Sequence, residues 1–337
     1  MKLFGDNTLQ KQPYVLLTDA IVPSAAAIIT TRAHVEIAAD KSEQGLIDAA
    51  RLADVIVVRS PLPPALFEHA TRLRGVVRHG AGVDMIPVEA ASRHGVAVAN
   101  VAGGNAASVA EYAIGQMLNL SHKFTHIDRT LRQEGWFAAR ALSDHKVEIE
   151  GQTLGIVGIG QIGQNLAKKA HHGFNMDVIA YRPSGVPADE FIEMVDLPTL
   201  FERSDFIVLA CPLNEHTQGL VSADLLARMK PTACLINVSR GGVIDEPALI
   251  DVLAKGHIRG AALDVFTTSP LPESSPLLQL DNVLLTSHIA GMTQHSMQRV
   301  GEGVARQVLQ MLDGHLPEYL WNAECRDEIR ARFARLG

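Results

Sequence analysis

Apolar runs of four or five residues recur along the chain, separated by helix-length segments of mixed polarity. The first series predicts strands at Tyr14–Leu17, Val55–Val58, Gly75–Arg78 and Val96–Ala99, with helices over Ser42–Leu52 and Pro87–His94 between them. Short, continuously apolar strands that alternate with helices imply βαβ units and a parallel sheet. Ala106 to Arg132 reads as one long helix, apolar all round over VAEYAIGQMLNL and therefore expected to be buried. A second series then predicts strands at Thr153–Val157, Asp177–Ala180, Phe206–Leu209, Ala233–Asn237, Gly260–Asp264 and Val283–Thr286. Six such strands with helices between them match a doubly wound dinucleotide-binding sheet. A helix over Thr293–Leu312 and a polar tail follow, and residues 1–13 read as a loose polar arm. The expected fold is α/β, with two doubly wound parallel-sheet domains. In it a Rossmann cofactor domain (102–291) is inserted into a flavodoxin-like substrate domain (1–101 and 292–337).

Composition narrows the classes. The 337 residues exceed one ordinary core, which agrees with two domains. With 47% hydrophobic and 20% charged residues the chain is not of the disordered class. A net charge of −7, from 30 basic and 37 acidic residues, argues against a nucleic-acid partner. The N-terminus lacks an apolar signal core and no run is long enough to span a bilayer, so a cytoplasmic protein away from membranes is expected. Cys211, Cys234 and Cys325 are widely spaced, which suggests neither disulfides nor a metal site. Cys211 and Cys234 read as small core hydrophobes. The chain ends soon after its last predicted core helix, so no appended regulatory domain is expected.

Gly158-Ile159-Gly160-Gln161-Ile162-Gly163 follows the strand TLGIV and opens the helix QIGQNLAKKA. Between a strand and a helix this spacing signals a dinucleotide site. Gly158 serves the tight turn, Gly160 the approach of a diphosphate and Gly163 the packing of helix on strand. The next strand ends at Arg182, where an NAD site usually carries an acidic residue for the ribose 2′-hydroxyl. A guanidinium there, with Ser184 nearby, suits a 2′-phosphate. NADP(H) is therefore the preferred cofactor, with NAD(H) still possible if Arg182 is only a solvated surface group.

Arg240 stands between a strand and two glycines in NVSRGG, and His288 follows the strand of VLLTS. A guanidinium can grip a carboxylate in two parallel bonds and polarise an adjacent keto oxygen. An imidazole can give that oxygen its proton.

In these motifs the chain resembles the D-isomer-specific 2-hydroxyacid dehydrogenases, the family of phosphoglycerate, glycerate and glyoxylate/hydroxypyruvate enzymes. The resemblance runs over about residues 45–320. It is carried by HGAGVD (79–84), NAASVAEYAIGQML (105–118), GIVGIGQIG (155–163), CPLNEHT (211–217), NVSRGGVIDEPAL (237–249), ALDVF (262–266) and NVLLTSHIAG (282–291). It implies that Arg240 binds the substrate carboxylate and keto group, that His288 is the acid/base, and that Asp264 contacts the nicotinamide amide region. Gln161, Ile162, Pro212, Val238, Ser239 and Gly291 match cofactor-contact positions, and Gly80-Ala81-Gly82 matches the loop that holds the substrate carboxylate. Arg59 and Ser60 stand where phosphoglycerate enzymes hold a phosphate, although the PLPP that follows is atypical. The implied partners are a small 2-keto or 2-hydroxy acid and a second copy of the chain, paired through the cofactor domain.

One departure stands out. The family carries Glu three residues after DVF, paired with the catalytic histidine, and this chain has Ser269 there. Serine can orient the ring but supplies no charge to favour imidazolium. Proton donation at neutral pH is expected to be weaker, with a reductase rate that rises toward acid pH; Glu273 is a distant substitute. The readings kept open are an NADPH-linked glyoxylate/hydroxypyruvate-type reductase, an NAD-linked phosphoglycerate-type dehydrogenase and a cofactor-binding regulator. Trp136 is expected to pack, with lining of the cleft as the alternative, His79 to lie at the surface or touch substrate, and Glu111 to cap or pair. His171 and His172 are expected to form a helix end beside Gly173.

Overall fold

The computed structural model describes residues 12–337 apart from Pro187, so most of the expected N-terminal arm lies outside the described residues. The chain divides into two compact units, residues 1–105 with 294–337, and residues 106–293.

The first unit is built on β1 (Tyr14–Leu17), β2 (His34–Ile37), β3 (Val55–Val58), β4 (Gly75–Arg78) and β5 (Ala97–Ala99), in the order β2-β1-β3-β4-β5. All pairs are parallel. This 2-1-3-4-5 order is the flavodoxin-like one. Val15, Leu17, Val55 and Val57 face the helices Pro23–Thr30, Gln294–Leu312 and Arg326–Leu336. Leu16, Ile56 and Val58 face Glu43–Ala50, Leu66–His69 and Val88–Arg93. Both faces are covered, which is why these strands read as unbroken apolar runs. The Ser42 hydroxyl caps Glu43–Ala50 by accepting from Gly45 N at 3.1 Å.

The second unit adds β6 (Thr153–Val157), β7 (Asp177–Tyr181), β8 (Ile192–Met194), β9 (Phe206–Leu209), β10 (Cys234–Asn237), β11 (Gly260–Leu263) and β12 (Val283–Leu285). Their order, β12-β11-β10-β9-β6-β7-β8, is doubly wound and reverses between β6 and β9. Every pair is parallel, so all seven strands end on one edge, where such folds bind ligands. Helices Ala106–His122 and Gln161–Phe174 cover one face through Ile156, Val208 and Ile236. Helices Leu197–Arg203, Ala223–Ala227 and Glu246–Ala254 cover the other. Cys211 and Cys234 are buried free thiols, and burial pushes them up to about 11 and about 12.

The expected fold class is borne out, and three local expectations are corrected. Strands β2 and β8 were not anticipated. The 106–132 helix breaks at Lys123, which is left-handed (φ 55°), so that Ala106–His122 is followed by Phe124–Glu134. Asn119 spans the break, donating to Thr125 Oγ1 at 2.8 Å and accepting from Thr125 N at 3.1 Å. The polar tail contains the helix Arg326–Leu336, which buries Ile329, Arg332 and Phe333. As expected, His171 and His172 stand in the last turn of the helix Gln161–Phe174, which ends beside Gly173 with Asn175 as its left-handed cap. No helix among the described residues is long and apolar enough to cross a membrane.

Candidate active site

The glycine loop sits where β6 meets its helix, at the reversal point of the second sheet. Gly158 has φ 99°, and a β-carbon on it would lie 2.7 Å from the backbone N of Cys211, so no side chain fits. A β-carbon on Gly163 would lie 2.4 Å from the Gly158 carbonyl oxygen, which locks helix against loop. One on Gly160 would meet nothing within 4 Å. Gly160 begins the helix Gln161–Phe174 with no side-chain cap and no acidic residue in the first turn. Open space before uncapped N–H groups at the positive end of a helix dipole suits a diphosphate. Gln161 is exposed and Ile162 half-buried beside it. Arg182 is half-buried just beyond β7, in a turn closed by Gly185 N donating to its carbonyl at 3.0 Å, with Ser184 exposed. Pro212 is exposed beyond β9, its carbonyl accepting from the Thr217 hydroxyl at 2.6 Å.

Two buried polar residues fix the turns that carry Arg240 and His288. Asn237 closes β10 with no exposed surface. Its side-chain oxygen accepts from Ser239 N (3.0 Å) and Ser239 Oγ (2.8 Å), and its amide donates to the Arg240 carbonyl (3.0 Å). Val238 and Ser239 are thereby held in the interior. The half-buried Arg240 directs Nη1 to the Ser239 carbonyl at 2.8 Å.

Asp264, which follows β11, does the same for His288. Its N donates to the Asn237 carbonyl at 3.1 Å, and its own carbonyl accepts from His288 N at 2.8 Å. Its carboxylate accepts from Thr286 Oγ1 (2.6 Å), Ile289 N (2.8 Å) and Ala290 N (2.9 Å). The Thr286 hydroxyl in turn lies 2.5 Å from that of Tyr112. Three consecutive N–H groups, 288 to 290, thus converge on one residue. Such a nest requires a left-handed residue, and His288 has φ 58°. A left-handed non-glycine residue costs about 1–2 kcal/mol. Hydrogen bonds to a charged group contribute about 1.5–3 kcal/mol each, so two on the carboxylate outweigh the strain.

His288 and Ser269 line one pocket of about 630 Å³, together with Phe266, Pro270, Leu271 and Leu285. Both residues are exposed, Gly291 is half-buried, and Glu273 is exposed outside this lining. The site therefore has a guanidinium and an imidazole, each on a turn held from beneath, on the sheet edge that also carries the glycine loop.

The comparisons with known proteins agree with this geometry. Residues 114–290 match the family described as D-isomer specific 2-hydroxyacid dehydrogenase, NAD binding domain. The chain belongs to that family. It is 37% identical over 314 residues to a D-3-phosphoglycerate dehydrogenase of Methanocaldococcus jannaschii, covering 91% of this chain but 59% of that enzyme. It thus spans little more than half the length of the phosphoglycerate dehydrogenase. It is 35% identical over 303 residues to a hydroxypyruvate reductase of Thermotoga maritima, covering 88% of this chain and 98% of that protein. Among solved structures, an acyclic imino acid reductase in complex with NADPH and D-Arg superposes with a TM-score of 0.85 at 28% identity, covering 91% of this chain and 99% of that one.

As a member of the 2-hydroxyacid dehydrogenase family, the chain carries its other expected site residues in the first unit. Arg59 and Ser60 follow β3. Their backbone N–H groups donate to Thr18 Oγ1 at 2.8 and 3.0 Å, and Arg59 Nη1 donates to the Ala20 carbonyl. Asp19 accepts from Ser60 Oγ at 2.5 Å and pairs with Lys41. Burial raises its carboxyl, but the hydrogen bonds from Lys41 and Ser60 prevail and hold it below its usual range. Gly80 has φ 151°, and its carbonyl accepts from Val101 N at 2.9 Å, while the Ala81 carbonyl accepts from Asn100 Nδ2 at 2.5 Å. Gly82 completes the loop, half-buried.

Several readings are corrected. His79 is buried rather than at the surface. Trp136 is 64% exposed and is not packed in a core. Glu111 pairs with Lys169 at 3.2 Å, as one of its expected roles had it. The Asp264 carboxylate is turned into the fold, where 1% of the residue is exposed, and Asp264 also lines the pocket of His288 and Ser269. Sequence reasoning missed Asn237, Thr286 and Tyr112 as parts of the site. The available signal was a polar residue closing each apolar strand, Asn237 after CLI and Thr286 after VLL.

Proposed function

We propose that this chain is a nicotinamide-dependent oxidoreductase acting at C2 of a small 2-keto or 2-hydroxy acid, with glyoxylate- or hydroxypyruvate-type reduction as its main activity. The bound nicotinamide supplies or accepts the hydride. Arg240 grips the substrate carboxylate and polarises the neighbouring oxygen. His288 gives that oxygen a proton in reduction and takes one back in oxidation. Ser269 stands on the same pocket wall and orients the ring without adding charge. Gly80-Ala81-Gly82 and Arg59 belong to substrate binding.

Gly158, Gly160, Gln161, Ile162 and Gly163 hold the diphosphate, with Pro212, Val238, Ser239 and Gly291 along the rest of the cofactor. Arg182 and Ser184 take a 2′-phosphate, so NADP(H) is preferred over NAD(H). The protein works in the cytoplasm as a homodimer. Ala106–His122 buries its apolar face within its own unit, so the pairing surface is assigned to exposed Phe124, Leu131, Trp136 and Phe137 on the helices that follow.

The observation that carries this reading is the pair of staples, Asn237 and Asp264, that fix Arg240 and His288 on the edge bearing the glycine loop. Initial rates with NADPH and NADH, against plain and phosphorylated 2-keto acids at two pH values, test it. Turnover of a plain 2-keto acid with NADPH is expected. Cofactor binding with no turnover of any acid would leave only the regulator reading.

A further inference from the structure

We propose that Tyr112, Thr286 and Asp264 form a positioning relay that holds His288 in its left-handed conformation and thereby aims the imidazole; this rests on the assignment of His288 as acid/base. The direction of the relay follows from donor and acceptor chemistry. An ionised carboxylate only accepts, so Thr286 donates its single proton to Asp264 at 2.6 Å. Thr286 must then accept at 2.5 Å, and the Tyr112 phenol donates. Burial raises the pKa of that phenol, which keeps its proton available. At the far end the carboxylate gathers the N–H groups of Ile289 and Ala290 while the Asp264 carbonyl takes that of His288. The helix Ala106–His122, the strand β12 and the turn after β11 are thus tied to the backbone on either side of the imidazole. None of the three residues needs to touch substrate to act.

The same geometry explains why a carboxylate is required at position 264. In Asp264→Asn the side-chain amide would turn two N–H donors toward one of the two backbone donors, and one nest contact would become repulsive. Removing the Thr286 hydroxyl leaves the carboxylate with one partner fewer and the turn free to relax toward ordinary φ.

The test uses the full chain and three variants, Thr286→Val, Thr286→Ser and Tyr112→Phe. Misplaced supporting groups lower turnover on the order of tenfold to a hundredfold. Thr286→Val should show that loss in kcat with cofactor Kd within about twofold, and Thr286→Ser should restore it. Tyr112→Phe should lose less but in the same parameter. The His288 imidazole titration, followed by NMR, should move in Thr286→Val and return in Thr286→Ser. If Thr286→Val fails to fold, Tyr112→Phe, which keeps the ring, carries the same readouts. Wild-type kcat and an unmoved His288 titration in Thr286→Val, or in Tyr112→Phe where that variant stands in, would overturn the relay. A wild-type protein without turnover would instead overturn the assigned activity, and the titration would still report on the relay.

Discussion

A β-carbon on Gly241 would lie 1.9 Å from the carbonyl carbon of Phe266, so the turn after Arg240 and the loop after Asp264 touch backbone to backbone. No rotamer change can relieve such a contact. Gly241→Ala should therefore destabilise the protein by about 3 kcal/mol, at the upper end of overpacking effects, and abolish turnover. Gly160→Ala makes the contrast, since its β-carbon meets only open space. It should unfold at the wild-type temperature yet bind cofactor roughly tenfold more weakly, a difference of about 1.4 kcal/mol. Thermal melts beside cofactor titrations check both, and equal effects on stability would contradict the distinction.

Ser269→Glu places a carboxylate in the pocket that His288 lines. A negative charge there favours imidazolium, so the proton donor persists to higher pH. Reductase kcat above pH 7 should rise a few-fold and the acid-leaning profile should flatten, as pH-rate measurements would report. An unchanged or lower rate would mean that Ser269 does not occupy the place of a histidine partner.

Burial, with the guanidiniums of Arg59 and Arg78 nearby, holds His79 down to about 4 against an ordinary 6.5. Between those values the unfolded chain binds a proton that the folded chain refuses. Stability should fall as pH drops through 6.5 toward 4, by at most about 1.4 kcal/mol per pH unit from this residue. Urea melts across that window should show a shallower decline for His79→Gln than for wild type. Parallel declines would remove His79 as a cause.

Arg332 donates to the carbonyls of Leu73, Thr71, Ala70 and His94 at 2.6–3.0 Å and is 7% exposed. Arg332→Met leaves those acceptors without their charged donor and should cost on the order of 3 kcal/mol. Arg332→Lys should recover only part, because an ammonium lacks the planar fork. Arg330→Met, at an exposed neighbour, should stay within about 0.5 kcal/mol in the same denaturant series.

These residues also show what could be read from sequence and what could not. The central strands were legible because Val55–Val58 and Phe206–Leu209 are buried on both faces and leave no polar position to confuse the pattern. Edge strands obey no such rule: His34–Ile37 is mostly exposed, and Ile192–Met194 spans three residues. The Lys123 break carries no Gly or Pro, and what spans it is a side-chain bridge between Asn119 and Thr125 that no local pattern announces. The glycine loop was legible because backbone approach at Gly158 and Gly163 admits no other residue. The supports of the site were not, because Tyr112 and Thr286 stand 174 positions apart and meet only in the fold.

The discontinuity of the first unit sets an order of assembly. Its sheet is complete by Ala99, but the helix Gln294–Leu312, which covers Val55 and Val57, is made only after every strand of the second unit. Emerging at roughly 5–20 residues per second, the host sheet waits with one wall open while its guest can already fold. The half-built host is thus the stage of biogenesis most exposed to chaperones and to misassembly, and lesions in Gln294–Leu312 or Arg326–Leu336 should be felt as lost yield before they are felt as lost chemistry.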